Sequence, residues 1–313
     1  MSAADHWETL ARHSPLVILA DLDGTLIPLA DRPEDARPGP ELLALLRALA
    51  ASEGVRVAVV SGRAREPLEK MLVEAPGVWL CAEHGGWLRA EGAWQAAAPA
   101  DAGALDALAA AVEAVAAQYK KAWVERKTWS ICLHYRGVRQ RERVGLLVQT
   151  NAALDAVNRE RPGYVGVDGV DSFELRPAGI RKSAVVPWAR EKVGPEARLI
   201  ALGDDLTDED MFRALGSNDE AIQVGRDLFR GTGARWRLDG PEEAVAFLGW
   251  LLAARAAEKT PPPELPTPIL RRSARAAEPS PHRLLVVSNR LPDPRAADEP
   301  EAARKRNVGG LVT

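Results

Sequence analysis

The stretch LVILADLDGTLIPL (Leu16–Leu29) decides the fold. Its first residues, with Pro15, form a short unbroken apolar run, which reads as a strand buried on both faces. The run then delivers two carboxylates, Asp21 and Asp23, into a Gly-Thr turn. Other short apolar runs follow the same plan: VRVAVVSG (55–62), VWLCAEHG (78–85), ARLIALGDD (197–205) and EAIQVG (220–225). GPELLALLRALAAS (39–52) has amphipathic helical spacing, and PEEAVAFLGWLLAAR (241–255) opens on a proline, as helices often do. Alternation of strands and helices predicts an α/β fold, a doubly wound Rossmann-like parallel sheet with helices on both faces. Ligands of such sheets sit outside the carboxyl ends of the strands. Asp21, Ser61 and Asp204 come from three different strands and all fall at that edge.

The interval 87–178 has another texture and reads as an inserted α+β domain, with the core divided into 1–86 and 179–255. It opens with hairpin-like pieces around Trp87 and Trp94 and an alanine-rich helix near 101–119. TWSICLHYR (128–136) then alternates strictly: Trp129, Ile131, Leu133 and Tyr135 on one face, Ser130, His134 and Arg136 on the other. DSFELRP (171–177) does the same and puts Glu174 beside Arg176. The insert is therefore expected to hold a sheet with one wet, charged face.

Bringing Asp21, Asp23, Asp204, Asp205 and Asp208 to one edge would crowd carboxylates that repel one another. A hard divalent cation relieves that repulsion, and an all-oxygen donor set suits Mg²⁺. A carboxylate there can act as a nucleophile towards phosphorus, and a second, two residues on, can move protons. Ser61 would donate to a phosphoryl oxygen, and Lys182, at a helix start, would neutralise developing charge.

Composition narrows the setting. The chain has 313 residues, 46% of them hydrophobic and 27% charged, with a net charge of −3. That balance offers no basic field for nucleic acid. Two cysteines, Cys81 and Cys132, make no disulfide framework, so a reducing cytoplasm is the expected compartment. Too few apolar residues precede Asp21 for a signal sequence or membrane span, and a soluble protein without a membrane partner is expected.

DLDGTL (21–26), SGR (61–63), Lys182 and GDDLTDEDMF (203–212) resemble, in order and spacing, the haloacid dehalogenase superfamily of phosphatases. AEHGGWLR (82–89), VERKTWSICLHYR (124–136) and ELRPAGIRKS (174–183) make the chain similar, within it, to the trehalose-6-phosphate phosphatases. The resemblance spans roughly residues 15–250. It implies Asp21 as nucleophile and Asp23 as general acid/base, which also lends its backbone carbonyl to Mg²⁺. Asp204 would complete the metal's protein ligands, with Asp205 and Asp208 in support, and Gly24, Thr25, Ser61, Gly62, Arg63 and Lys182 would hold the phosphate. The insert becomes a cap, with Glu125, Lys127, His134, Arg136, Glu174 and Arg176 contacting the disaccharide. Ser183 departs from the family pattern, which has Gly after the lysine. His84 in AEHGG reads either as a hydrogen-bonded core residue or as part of the site.

Residues 256–282 contain seven prolines and read as a semi-extended linker. Beyond it, LLVVSNRLP and NVGGLVT in 283–313 resemble the opening of a trehalose-6-phosphate synthase, with Arg290, Gly309 and Gly310 at matching positions. The resemblance implies hydrolysis of trehalose 6-phosphate through an aspartyl-phosphate, with a synthase domain as a candidate partner. Alternatives are a capped phosphatase for another sugar phosphate, such as sucrose 6-phosphate or mannosyl-3-phosphoglycerate, or an inactive partner of a synthase. An inactive descendant would typically have lost one of the core aspartates, and all are present.

Overall fold

Every residue of Leu16–Asp21 is buried, and this run is the middle strand of a sheet nine strands wide. The computed structural model describes residues 3–30, 32, 34–97, 102–169, 171–225, 232–256 and 265–269. In chain order the elements are α1 (Ala3–Ala11), β1 (Leu16–Asp21), α2 (Pro40–Ala51), β2 (Val55–Val60), α3 (Arg65–Met71), β3 (Trp79–Ala82), β4 (Trp87–Arg89) and β5 (Gln95–Ala96). There follow α4 (Ala102–Ala116), β6 (Trp123–Arg126), β7 (Ile131–His134), α5 (Gln140–Glu160), β8 (Tyr164–Gly169) and β9 (Ser172–Pro177). The chain continues through α6 (Val185–Val193), β10 (Arg198–Gly203), α7 (Asp208–Ala214), β11 (Glu220–Val224), β12 (Trp236–Leu238), α8 (Pro241–Arg255) and β13 (Thr267–Pro268).

The large sheet has the order β13-β12-β11-β10-β1-β2-β3-β4-β5. Its six inner strands, β12 to β3, pair in parallel, and β13, β4 and β5 add antiparallel edges. Alternate side chains of β1 feed two separate cores, as the period of two requires. Leu16, Ile18 and Ala20 pack with Trp7 of α1, Leu46 and Leu49 of α2, and Phe247 and Leu251 of α8. Val17 and Leu19 pack with Val185, Trp188 and Ala189 of α6 and Met211 and Phe212 of α7. A side chain of this kind contributes roughly 1.5–3 kcal/mol when fully buried. The expected doubly wound parallel sheet is therefore present.

The inserted sheet is antiparallel throughout, in the order β6-β7-β9-β8. Ile131, Leu133, Phe173 and Leu175 form one face and pack under Leu108 and Val112 of α4 and Leu146 and Leu154 of α5. The opposite face is polar, as the alternation of 128–136 and 171–177 foretells. The hairpin around Trp87 and Trp94 was expected to open the insert. Instead β4 and β5 pair onto β3 and extend the large sheet, because Cys81 and Leu88 are register partners there. The polar-faced sheet begins only at Trp123.

The described residues end at Ile269; residues 270–313, with Arg290, Gly309 and Gly310, lie outside them. Part of the expected linker is structured: Thr267–Pro268 forms a short edge strand on β12, where a proline removes no needed ladder donor. Among the described residues no helix is long and apolar enough to cross a membrane.

Candidate active site

β1 ends on Asp21, which is 4% exposed and faces a carboxylate-rich edge. Lys182 Nζ donates to Asp21 Oδ1 at 2.7 Å and to Asp208 Oδ1 at 2.8 Å, and lies 4.0 Å from Asp205. Ligand oxygens of Asp21, Asp204 and Asp208 all lie within 4.8 Å of one another. Burial, above all, pushes the Asp21 carboxyl up to about 8; Lys182 opposes this and the charges of Asp204 and Asp205 reinforce it. Asp204 rises to about 7, from burial first and then from Asp208 and Asp205. Asp208 is likewise driven well up by burial. Asp205 behaves differently: burial favours its neutral form, but Lys182 and hydrogen bonds from Thr207 and Asp208 outweigh it and bring the carboxyl down to about 2. Burial would also lower Lys182, but Asp208 and Asp21 hold it well above its ordinary value. One buried ammonium thus serves several carboxylates, and three carboxylates are left short of positive charge. That deficit, in an all-oxygen donor set, fits a divalent cation.

The surrounding residues fix these oxygens. Asp208 Oδ2 accepts the backbone N–H groups of Asp204 and Asp205, both at 3.1 Å. Thr25 Oγ1 donates to Asp204 Oδ1 at 2.9 Å. Gly24 has φ +89°, and a Cβ there would come within 2.1 Å of Asp204 Oδ2, so only glycine leaves room for that carboxylate. Asp23 is gripped from both prongs by the Arg63 guanidinium, with Nε to Oδ2 at 2.7 Å. Ser61 Oγ accepts the Arg63 backbone N–H at 3.1 Å, an acceptor role that leaves its hydroxyl proton to donate elsewhere.

Opposite this edge stands the polar face of the inserted sheet, and the two enclose a cleft of about 1100 Å³. Asp21, Asp23, Arg63, Lys182, Asp204 and Asp205 line its floor. Glu125, Lys127, His134, Arg136 and Glu174 line its roof. Glu174 is the hub of the roof. It pairs with His84 Nε2 at 2.7 Å and Lys127 Nζ at 3.4 Å, and accepts the Ser130 hydroxyl. Burial alone would raise its carboxyl, but His84 and Lys127 hold it well below the usual range. Burial, above all, lowers the His84 imidazole, and the adjacent Glu174 opposes that shift. His84 and Glu83 belong to the large sheet's side, so this hub also docks the insert. Glu83 accepts the Trp129 backbone N–H at 2.9 Å, and Lys127 reaches the Gly62 carbonyl at 2.9 Å. Glu83 and His84 sit at φ 48° and 56°, left-handed values costing on the order of 1–3 kcal/mol each outside glycine. Their contacts to the insert are what this strain supports.

The profile described as Trehalose-phosphatase matches residues 19–242 of this chain. The chain belongs to the trehalose-phosphatase family. A trehalose-phosphate phosphatase of Mycobacterium marinum is 33% identical over 245 residues, covering 75% of this chain and 60% of that protein. The chain thus spans less than two thirds of that relative's length. A bifunctional trehalose-6-phosphate synthase/phosphatase of Thermoproteus tenax is 33% identical over 213 residues, or 67% of this chain and 28% of that one. Among solved structures, an Aspergillus fumigatus trehalose-6-phosphate phosphatase superimposes with a TM-score of 0.60 at 25% identity, covering 81% of this chain and 98% of that one.

Within this trehalose-phosphatase fold the residues singled out from sequence are distributed unevenly. Asp21, Lys182, Asp204, Asp205 and Asp208 converge on one point, with Asp23, Gly62 and Arg63 on the same cleft wall. Ser61 is buried next to Arg63 and is absent among the described residues lining the cleft. Thr25 spends its hydroxyl on Asp204, and Gly24 faces a small neighbouring hollow with Pro28 and Gln223. In the roof, Arg176 is the exception. It shares the face of Glu174 but is 3% exposed, is absent among the described residues lining the cleft, and leaves Nε and Nη1 unpaired. Its charged neighbours are Glu174, Asp210, Arg181 and Asp205. Roof residues that went unmarked in the sequence include Lys121, Trp123, Cys132 and Asp168, and Ser130, read only as part of the polar face, is a partner of Glu174. Parity was the available signal, since Cys132 lies midway between Ser130 and His134 on the polar side of its strand.

Proposed function

We propose that the protein is a Mg²⁺-dependent phosphatase that hydrolyses trehalose 6-phosphate to trehalose and phosphate through an aspartyl-phosphate on Asp21. The observation that carries this reading is the Lys182–Asp21–Asp208 cluster beneath a polar, roofed cleft, in a chain of this family. Mg²⁺, held by Asp21 and Asp204 with the Asp23 carbonyl and supported by Asp205 and Asp208, would supply the charge that keeps Asp21 ionised and draws the phosphoryl group in. An Asp21 oxygen attacks phosphorus and the bond from phosphorus to the sugar oxygen breaks. Asp23 gives that oxygen its proton. Asp23 then takes a proton from water as the water attacks the aspartyl-phosphate, restoring Asp21 and releasing phosphate. Ser61 donates to a phosphoryl oxygen, while Lys182 offsets charge on the group in transfer. Arg63 now holds Asp23; exchanging that partner for the incoming phosphate would free Asp23 to carry its proton.

Selectivity is assigned to the roof. Glu125, Lys127, His134, Arg136 and Glu174 offer the mixed donors and acceptors that sugar hydroxyls require. The cytoplasm is the proposed compartment, supported by two free, buried cysteines. A synthase domain is the proposed neighbour, supported by the segment 283–313 and by the bifunctional relative. The test is phosphate release from a panel of sugar phosphates with Mg²⁺, with EDTA, and with Asp21→Asn. Preference for trehalose 6-phosphate, lost with EDTA and in the variant, is expected. Activity spread over other sugar phosphates removes the substrate assignment, and silence on all of them removes the enzyme.

A further inference from the structure

We propose that Glu125, Cys132 and His134 form a second cation site on the roof, suited to a borderline-soft divalent ion such as Zn²⁺. One ligand atom from each of the three lies within 4.8 Å of the other two. The placement follows from the sheet. Glu125 on β6 and Cys132 on β7 are register partners, and His134 is two residues beyond Cys132 on the same face, paired across to Trp123. His134 Nε2 already meets Glu125 Oε2 at 3.0 Å, and its ring stacks on Trp123 at 3.9 Å between centroids. The three side chains project from one face of paired strands, so drawing their donors onto one ion is a matter of side-chain rotation.

Donor chemistry separates this cluster from the carboxylates below it. Asp21, Asp204 and Asp208 give oxygen alone, the choice of a hard ion. Thiolate, imidazole and carboxylate together are the donors Zn²⁺ accepts, and three protein ligands leave a fourth position open. Thiolate and carboxylate carry two negative charges between them, which a divalent ion cancels. Burial pushes the Cys132 thiol up to about 12, with Lys127 opposing and Glu174 and Glu125 reinforcing. Coordination therefore breaks the S–H bond, forms the metal–sulfur bond and releases that proton to solvent. The open position faces the cleft, since all three side chains line it. An occupying ion would sit where the roof is proposed to meet the sugar, so Zn²⁺ should compete with substrate. That consequence rests on the proposed function; the binding itself does not.

The test uses the whole chain, freed of metal by chelation and titrated with Co²⁺ as a spectroscopic probe. One equivalent should produce a thiolate-to-cobalt charge-transfer band that Zn²⁺ then displaces. Cys132→Ser should abolish the band, and His134→Gln and Glu125→Gln should weaken Co²⁺ binding by at least about tenfold. Asp204→Asn and Cys81→Ser should leave it in place. A band that survives Cys132→Ser, one that vanishes with Asp204→Asn, or none at all overturns the site. Thermal midpoints of the metal-free variants check folding. Should Cys132→Ser unfold, His134→Gln and Glu125→Gln decide: unchanged cobalt affinity in both overturns the site. Loss of sugar-phosphate turnover in the wild type with an intact cobalt band would sink the proposed function and leave the cation site standing.

Discussion

The nine-stranded and four-stranded sheets present polar groups in opposite ways. β1, β2 and β10 are covered on both faces, so their only outlets are the strand ends, and Asp21, Ser61 and Asp204 stand there. β6, β7 and β9 are covered on one face by α4 and α5, so their other face carries Glu125, Cys132, His134 and Glu174 in rows. The first arrangement gives few groups at positions the backbone fixes. The second gives many groups that substitution can retune without disturbing a core. Phosphoryl chemistry is assigned to the first and choice of sugar to the second.

The largest effect should come from the strand end. Asp21→Asn is expected to lower turnover by on the order of 10⁴-fold or more for every phosphoester, with an unchanged thermal midpoint. If it spares small phosphoesters, the division of labour fails. Glu174→Ala should cut kcat/KM for trehalose 6-phosphate by about 10²-fold but touch a small generic phosphoester only a few-fold. It also leaves the Lys127 ammonium without its carboxylate, so a stability loss of about 3 kcal/mol should accompany it in denaturant melts. Equal damage to both substrates would return Glu174 to a purely docking role.

Smaller changes probe the seam between the sheets. A Cβ on Gly62 would meet His84 Nε2 at 2.4 Å. Gly62→Ala should therefore cost about 1–3 kcal/mol, and less in a His84→Ala background; a strictly additive double-mutant cycle would deny the contact. The last prediction is one of sign. Asp21 and Asp204, at about 8 and about 7, lie above their unfolded values, so the ion-free native state holds extra protons between about pH 4 and 8. Stability from these groups is present at low pH and lost as pH rises through that window. Mg²⁺ must displace those protons, so the gain in Tm on adding it should be larger at pH 8 than at pH 5, by a few degrees. An equal gain at both would show that the carboxylates do not hold the ion.

Much of this was legible in the sequence because it follows from short-range pattern. The apolar run before Asp21, the helix at Pro241 and the parity of 128–136 each translate directly into burial. α5 escaped because its apolar residues do not keep to one face: Val144 and Val148 are exposed, and only Leu146, Thr150 and Leu154 are buried along 21 residues. The hairpin at Trp87 reads as the opening of the insert but joins the large sheet, because strand pairing is a long-range choice that local alternation does not encode. Arg176 shows the same limit: parity placed it correctly on the face of Glu174, yet burial under the neighbouring elements is a tertiary matter. His84 had two readings in the sequence, and its link to Glu174 is visible only once the two sheets face each other.

The pairing of β1 with β10 has a kinetic consequence. Asp21 and Lys182 are 161 positions apart, and Thr25 and Asp204 179. The four-stranded sheet, by contrast, closes entirely between Trp123 and Pro177. Loop closure over so long a span is entropically slow until something shortens it, and early folding of the insert does so by bringing its two ends together. The insert would then act as an internal clamp during synthesis, and the carboxylate edge would be among the last parts of the molecule to assemble.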